Sequence, residues 1–451
     1  MKTRFRTIRT IRSAMVLFCL PVLTAAMVAE ATQVGLNVAL AHPLLQAGKK
    51  ETTFLKVGLT GFERKNETER SPVNVAIVLD KSGSMSGDKI KRAKDAAKQA
   101  VNRLNHEDII SIVTYDTTIS VLVPATKISN KNEIFQAIDR IEAGGKTALF
   151  AGVSKAADEL RKFLDKERVN RIILLSDGLA HVGPSSPGEL GELGKSLIKE
   201  RISVSTIGLG LDYNEDLMVK LAQRSDGNHY FVDQAEELAG IFNEEFGDVL
   251  SVVAQEVTVK IKCKPGIRPI RMLGREADIA GQLVVTSLNQ IYSQQEKYIL
   301  LEIEVPATEK DQSREVATVV VAYDNMATRT RDRLKSSVSA RFTDREEDVA
   351  THVNRDVMIG CVAQIAVDNN AKATVLRDEG QIDAARRLLI QNCDFLSSNA
   401  ASLNSELLRA YGYSNQSDAQ NLSSDNWKFQ RKKMLFEQNA LKQQQKAPVK
   451  R

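Results

Sequence analysis

Between residues 73 and about 250, short continuous apolar runs alternate with amphipathic stretches, and this pattern constrains the fold more than any other feature of the chain. The runs are Val75-Ala76-Ile77-Val78-Leu79, Ile109 to Val113, Ile172-Ile173-Leu174-Leu175 and Ile202 to Ile207. A strand with one wet face alternates polar and apolar residues, whereas an unbroken apolar run needs cover on both faces. The stretches between the runs have the helical period. Ile90, Ala93, Ala97, Val101 and Leu104 share one face, while Lys91, Lys94 and Lys98 fall elsewhere. Strand–helix alternation of this kind predicts an α/β unit over residues 71–250, with a doubly wound, mostly parallel, Rossmann-like sheet.

The flanks read as β structure. Val34, Leu36, Val38 and Leu40 alternate with polar or small residues, as do Leu55, Val57 and Leu59, and later Val257, Val259 and Ile261. About forty residues before the α/β unit are too few for a stable sheet alone. Residues 32–70 and 251–343 are therefore expected to build one β-sandwich into which the α/β unit is inserted. Residues 344–413 read as helical, with a hairpin around Glu379-Gly380. Residues 414–451 are rich in Asn, Gln and Ser, end in a Lys/Gln tract, and are expected to be partly disordered. Within them, Lys428, Arg431, Lys432 and Lys433 among Trp427, Phe429 and Leu435 suggest a helix with a solvated basic face and one packed aromatic stripe.

Residues 1–31 stand apart. Lys2, Arg4, Arg6, Arg9 and Arg12 form a basic head, an apolar run follows from Ala14 to Ala29, and Ala29-Glu30-Ala31 places small residues where a signal peptidase reads. This predicts a secretory signal peptide and a secreted, periplasmic or cell-surface protein. After cleavage no integral membrane segment is expected. Most of the net charge of +5 belongs to this segment. Without its five basic residues and Glu30 the remainder is near +1, which argues against a nucleic-acid partner. Cys263, Cys361 and Cys393 are an odd set, and Cys361 and Cys393, both in helical sequence, are candidates for a bridge. Asn66-Glu67-Thr68 has the form of a glycosylation sequon.

Ligands of open parallel sheets bind at the carboxyl ends of the strands. The first apolar run ends in Asp80-Lys81-Ser82-Gly83-Ser84, which sets a carboxylate and two hydroxyls at alternate positions of a loop, with Gly83 expected to ease the turn. A later run ends at Ser176 and leads into Asp177-Gly178, and Thr147 follows Gly144-Gly145-Lys146 directly before a helix. Two carboxylates and three hydroxyls, without Cys or His, suit a hard divalent cation and leave a coordination position open for a carboxylate from outside.

These residues resemble the metal-ion-dependent adhesion site of the von Willebrand factor type A domain family, and the flanks resemble its secreted bacterial members. The resemblance spans about residues 73–250 and includes Thr206-Ile207-Gly208-Leu209-Gly210 and His229-Tyr230-Phe231-Val232. It implies that Ser82, Ser84 and Thr147 ligate the ion (Mg2+, or Mn2+ or Ca2+) directly. Asp80 and Asp177 would act directly or through water, and a partner protein's Asp or Glu would take the open position. The expected function is therefore non-enzymatic, metal-dependent protein binding or adhesion. Lys146 departs from the small residue that many members carry before the threonine.

Two other functions compete. A metal-assisted phosphate-ester hydrolase would use Asp80 as nucleophile, as haloacid-dehalogenase-like enzymes do, but Ser82 stands where those carry a second Asp. A structural protein of cell-envelope assembly would use the ion only for stiffness. His181, four residues past Asp177, has no nucleophile paired with it in sequence and reads as a surface histidine.

Overall fold

The computed structural model describes residues 33–63 and 70–446. The expected signal peptide and the sequon at Asn66 lie outside the described residues. The chain opens with β1 (Val34–Leu40), β2 (Leu44–Gln46) and β3 (Glu51–Gly61). The α/β unit then runs β4 (Val73–Asp80), α1 (Asp88–Asn102), β5 (Ile109–Tyr115), β6 (Ile119–Lys127), α2 (Lys131–Asp139), α3 (Leu149–Arg161), β7 (Val169–Ser176), α4 (Pro187–Lys199), β8 (Ile202–Leu209), α5 (Glu215–Arg224), β9 (His229–Val232) and α6 (Leu238–Leu250).

Its sheet has the order β6-β5-β4-β7-β8-β9. All pairs are parallel except β5 with β6. Every residue of β4, β5, β7 and β8 is buried, as strands covered on both faces require, although Ser203, Ser205 and Thr206 interrupt the run expected from Ile202 to Ile207. Alternate residues enter two separate cores. Val75, Ile77, Ile173 and Ile207 pack on one face with Ala93, Ala97 and Val101 of α1 and Phe242 and Phe246 of α6. Ala76, Val78, Ile172 and Val204 pack on the other with Val153 and Leu160 of α3, Leu190 of α4 and Leu217 of α5. The edge strand β6 is mostly exposed or half-buried and its pairing with β5 is irregular, so its short apolar triplet Val121-Leu122-Val123 does not stand out as a strand.

After α6 come β10 (Val252–Cys263), β11 (Arg268–Leu273), β12 (Asp278–Ala280), β13 (Leu283–Tyr292), β14 (Glu296–Val305), β15 (Ser313–Asn325) and β16 (Arg331–Thr343). β1-β3-β14-β11 form one sheet and β12-β13-β10-β15-β16-β2 another. Leu55, Val57, Leu59 and Ile299 of the first share a core with Val257, Val259, Ile261 and Val319 of the second. Both flanks of the chain thus contribute to one β-sandwich, with the α/β unit inserted between β3 and β10.

The C-terminal region holds α7 (Glu346–Thr351), α8 (Arg355–Asp378), α9 (Ile382–Ser402), α10 (Glu406–Gln420), α11 (Ser424–Lys442) and the short β17 (Gln445–Lys446), which pairs with β14. Gly380, at φ +82, turns the α8–α9 hairpin. The expected partial disorder of residues 414–451 is corrected for 414–446, and residues 447–451 lie outside the described residues. α10 runs through Gln420, α11 follows, and several of its polar side chains are buried with hydrogen-bond partners. Gln438 donates to Asn370 Oδ1 at 2.7 Å and to Thr374 Oγ1 at 2.9 Å, and Gln430 donates to Asp418 Oδ1 at 2.5 Å. Composition registers polarity, not whether each polar group finds a partner. The basic face is corrected in part, since Lys428 stays exposed and Lys433 partly so. Arg431 and Lys432 point inward, as described below. Cys361 and Cys393 are free thiols. Cys361 packs with Tyr298 and Leu300 of β14, whereas Cys393 lies on α9, where its carbonyl faces Gly412 of α10.

The α/β unit is fixed to the sandwich through a buried cation. Arg171 of β7 donates to Ser205 Oγ at 2.8 Å and, across the interface, to Gln290 Oε1 at 2.6 Å and Tyr292 OH at 3.0 Å of β13. Its counter-ion, Glu245 of α6, lies 3.1 Å away, and neither side chain is exposed. Removing one partner of such a pair leaves an uncompensated buried charge. We therefore expect Arg171→Met to destabilise the fold by about 3–5 kcal/mol in urea titrations, and Arg171→Met/Glu245→Gln to recover part of that loss.

A second expectation concerns pH. Burial, with the charge of Glu245 adding to it, pushes the Asp248 carboxyl up from 3.8 to about 6. The folded state thus holds a proton more tightly than the unfolded chain. The stability this group contributes is fully present below about pH 4 and lost as pH rises through about 6. Asp248→Asn is expected to raise the melting temperature relative to the unsubstituted chain more at pH 7.5 than at pH 4.

Candidate metal centre

The topology opens a crevice at the carboxyl ends of β4 and β7. β4 leaves the sheet for α1 on one face and β7 leaves for α4 on the other, so the two loops part over adjacent strands. Asp80 is the last residue of β4 and Asp177 the first after β7, and both are fully buried. Asp80 Oδ1 accepts from the Ser82 amide at 2.8 Å and Oδ2 from the Ser176 hydroxyl at 2.8 Å. Burial holds the Asp80 carboxyl above its ordinary range. Hydrogen bonds from Ser82 and Ser176 oppose that rise, and the charge of Asp177 adds to it.

Ser82 caps, and Ser84 lies within, a single 3-10 turn that runs Gly83–Met85. Their hydroxyls lie 3.1 Å apart, and Ser84 donates to Asp177 Oδ1 at 2.7 Å. Gly83 does not have a positive φ, contrary to the expectation that it eases a turn. Its amide instead donates to Gly145 O at 3.1 Å and joins the two loops. Thr147 enters from the α2–α3 connection, which is pinned on several sides. Gly144 N donates to Lys81 O at 2.7 Å, Ala148 N to Asp116 O at 2.9 Å, and His181 N to Thr147 O at 2.9 Å. Gly145 needs its freedom: φ is +79, and a Cβ there would lie 2.9 Å from Thr117 Oγ1.

Gly178 measures how closely the hydroxyls converge. A Cβ on it would lie 3.1 Å from Thr147 Oγ1, 3.4 Å from Ser84 Oγ and 3.9 Å from Ser82 Oγ. Three hydroxyls from two loops thus surround one point beside Asp177, and all five residues singled out in the sequence meet at this rim. The donor set is all oxygen, as a hard cation requires. Among the described residues no cluster of three or more His, Cys, Asp or Glu offers a different kind of metal site.

Other residues contribute that the spacing of the motif did not single out. Lys89, in the first turn of α1, brings Nζ to 2.6 Å from Asp177 Oδ2. Lys81 pairs with Asp116 beneath the Thr147 loop. A signal for Lys89 was present, since side chains at the start of a helix lean back toward its N-terminus and hence toward the loop before it. Lys146 is exposed, and its amide, not its ammonium, serves the loop by donating to Thr117 Oγ1 at 2.9 Å. His181 is exposed too. Gly208 is structural, because a Cβ there would overlap the ring of Tyr213 at 2.1 Å.

From the rim a cleft of ≈ 560 Å³ opens between Leu179 and His181 on one side and Tyr213 and Lys428 on the other. Its far wall is α11. Lys428 reaches Asp212 Oδ1 at 2.6 Å, Arg431 reaches Glu215 at 2.6 Å and Asp216 at 2.9 Å, and Lys432 donates to Tyr213 O at 2.7 Å and pairs with Glu215. Phe429 meets Phe231 edge-on at 5.7 Å.

The family model described as "von Willebrand factor type A domain" matches residues 74–244. Residues 74–244 are a von Willebrand factor type A domain. Domains of this family are commonly protein-interaction modules, often dependent on a divalent metal. The Escherichia coli (strain K12) protein YfbK is 33% identical over 230 residues, which is 50% of this chain but 40% of that protein. Synechocystis sll0103 is 24% identical over 305 residues, 65% of this chain and 72% of that protein. The solved structure "von Willebrand factor type A from Catenulispora acidiphila" superposes with a TM-score of 0.67 over 84% of this chain and 90% of that one. At 17% identity this shows a shared fold that extends beyond the type A domain.

Gly178→Ala would wedge a methyl group among the hydroxyls of the type A domain without straining the backbone. If the rim holds a divalent cation, as these domains commonly do, Gly178→Ala is expected to weaken its binding by calorimetry at least about tenfold, with the melting curve little changed.

Proposed function

We propose that the type A domain captures a carboxylate from a partner protein at a divalent cation. Ser82, Ser84 and Thr147 hold the ion directly, and Asp80 and Asp177 hold it directly or through water. Mg2+ is the first candidate, with Mn2+ or Ca2+ as substitutes. The observation that carries this reading is the convergence of three hydroxyls from two loops on one point beside the buried Asp177. Hydroxyl ligands are neutral, so a cation held mainly by them keeps much of its charge for an incoming carboxylate. The exposed Leu179 beside the rim gives the partner an apolar contact next to its carboxylate.

The role is binding rather than turnover. A nucleophilic Asp80 would have to face a substrate, yet it is sealed from solvent and both its oxygens accept hydrogen bonds within the chain. An exported setting, periplasmic or at the cell surface, is supported by the basic head and apolar run of residues 1–31. Among the described residues no helix is long and apolar enough to cross a membrane.

The test is capture of partners from a native envelope extract in magnesium. Ser82→Ala/Ser84→Ala is expected to keep its circular dichroism but to lose capture by at least about tenfold, and chelation should do the same. Capture that survives both treatments would remove the rim as the recognition surface. A melting temperature that depends on metal, with no partner that does, would favour the envelope-assembly role.

A further inference from the structure

We propose that Lys89 is a built-in competitor for the cation: its ammonium holds Asp177 until an ion arrives, and Asp212 is the carboxylate that then receives it. This rests on the cation site proposed above and assigns that site a control element of its own.

Both oxygens of Asp177 are already engaged. Oδ1 accepts from Ser84 at 2.7 Å and Oδ2 pairs with Lys89 Nζ at 2.6 Å. The carboxylate is fully buried, while the lysine side chain is 32% exposed, so only the lysine is free to leave. A divalent ion drawing on the same carboxylate meets a like charge there and binds more weakly for as long as the ammonium stays. The receiving group, Asp212, lines the same cleft as Ser84 and Gly178. The Asp212 carboxyl is held below its ordinary range first by Lys428, which pairs with it at 2.6 Å, and in part by the charge of Lys89. Gly210, at φ +71, borders the lysine: a Cβ there would lie 3.7 Å from Lys89 Nζ. Because Lys428 belongs to α11, the exchange also reaches the C-terminal helix on the far wall of the cleft.

The experiment is isothermal titration of the full chain with magnesium chloride and manganese chloride. Lys89→Met and Lys89→Gln are expected to bind either ion about tenfold more tightly than the unsubstituted chain. Asp212→Asn is expected to weaken binding about threefold in the unsubstituted chain and to have no effect in the Lys89→Met background. Unchanged melting temperatures and circular dichroism establish that each variant is folded. Equal or weaker binding by both lysine variants overturns the proposal. An equal effect of Asp212→Asn in both backgrounds overturns the role given to Asp212. If neither the unsubstituted chain nor any variant binds an ion, the cation site itself fails, and that result is distinct from failure of the lysine's role.

Discussion

Two buried carboxylates of like charge, at the ends of adjacent parallel strands, are the constraint around which the rest of the rim is arranged. Asp80 and Asp177 sit where the hydrophobic sheet ends and its flanking cores supply no counter-charge. Compensation comes from the loop residues, the strand end and the first helix turn: the Ser82 amide and Ser176 hydroxyl on one carboxylate, and the Ser84 hydroxyl and Lys89 ammonium on the other. The pinning of the Thr147 loop to Lys81, Gly83 and Asp116 keeps its hydroxyl over the same point. Glycine at 178 leaves that point clear.

The domain that bears the rim is not an independent bead on the chain. Arg171 is tied at once to Glu245 of α6 and to Gln290 and Tyr292 of the sandwich, which makes the relative placement of the two costly to change. On the far side, α11 clasps the β8–α5 loop through Lys428, Arg431 and Lys432. The cleft leading away from the rim is therefore walled by residues hundreds of positions apart in the chain. A partner that lies along this cleft touches both the type A domain and the C-terminal helix.

The α/β sheet and the sandwich were legible because burial leaves a period. β4 and β7 carry unbroken apolar runs since both their faces are covered, β8 interleaves the buried Ser203, Ser205 and Thr206 among its apolar residues, and β3 and β10 alternate toward the sandwich core. The five rim residues were legible because each stands at the end of a strand or the start of a helix, where an open sheet places its ligands. β6 left little trace because an edge strand is only half covered. The last helices were misjudged because Gln430, Gln438 and Lys432 look solvated by composition and are in fact buried with partners. The pair Cys361 and Cys393 shows the same limit: helical sequence says nothing of which neighbour each helix faces.

By itself, then, the order of residues determined the layers of the fold and the identity of the oxygen donors, since apolar period and loop position are local properties of the chain. Only the tertiary structure decided that these donors share one point, that Lys89 lies on Asp177, and that α11 walls the cleft. Those outcomes are contacts between segments far apart in the chain. They are set by how the sheet, the sandwich and the helices pack, and a local pattern does not encode that.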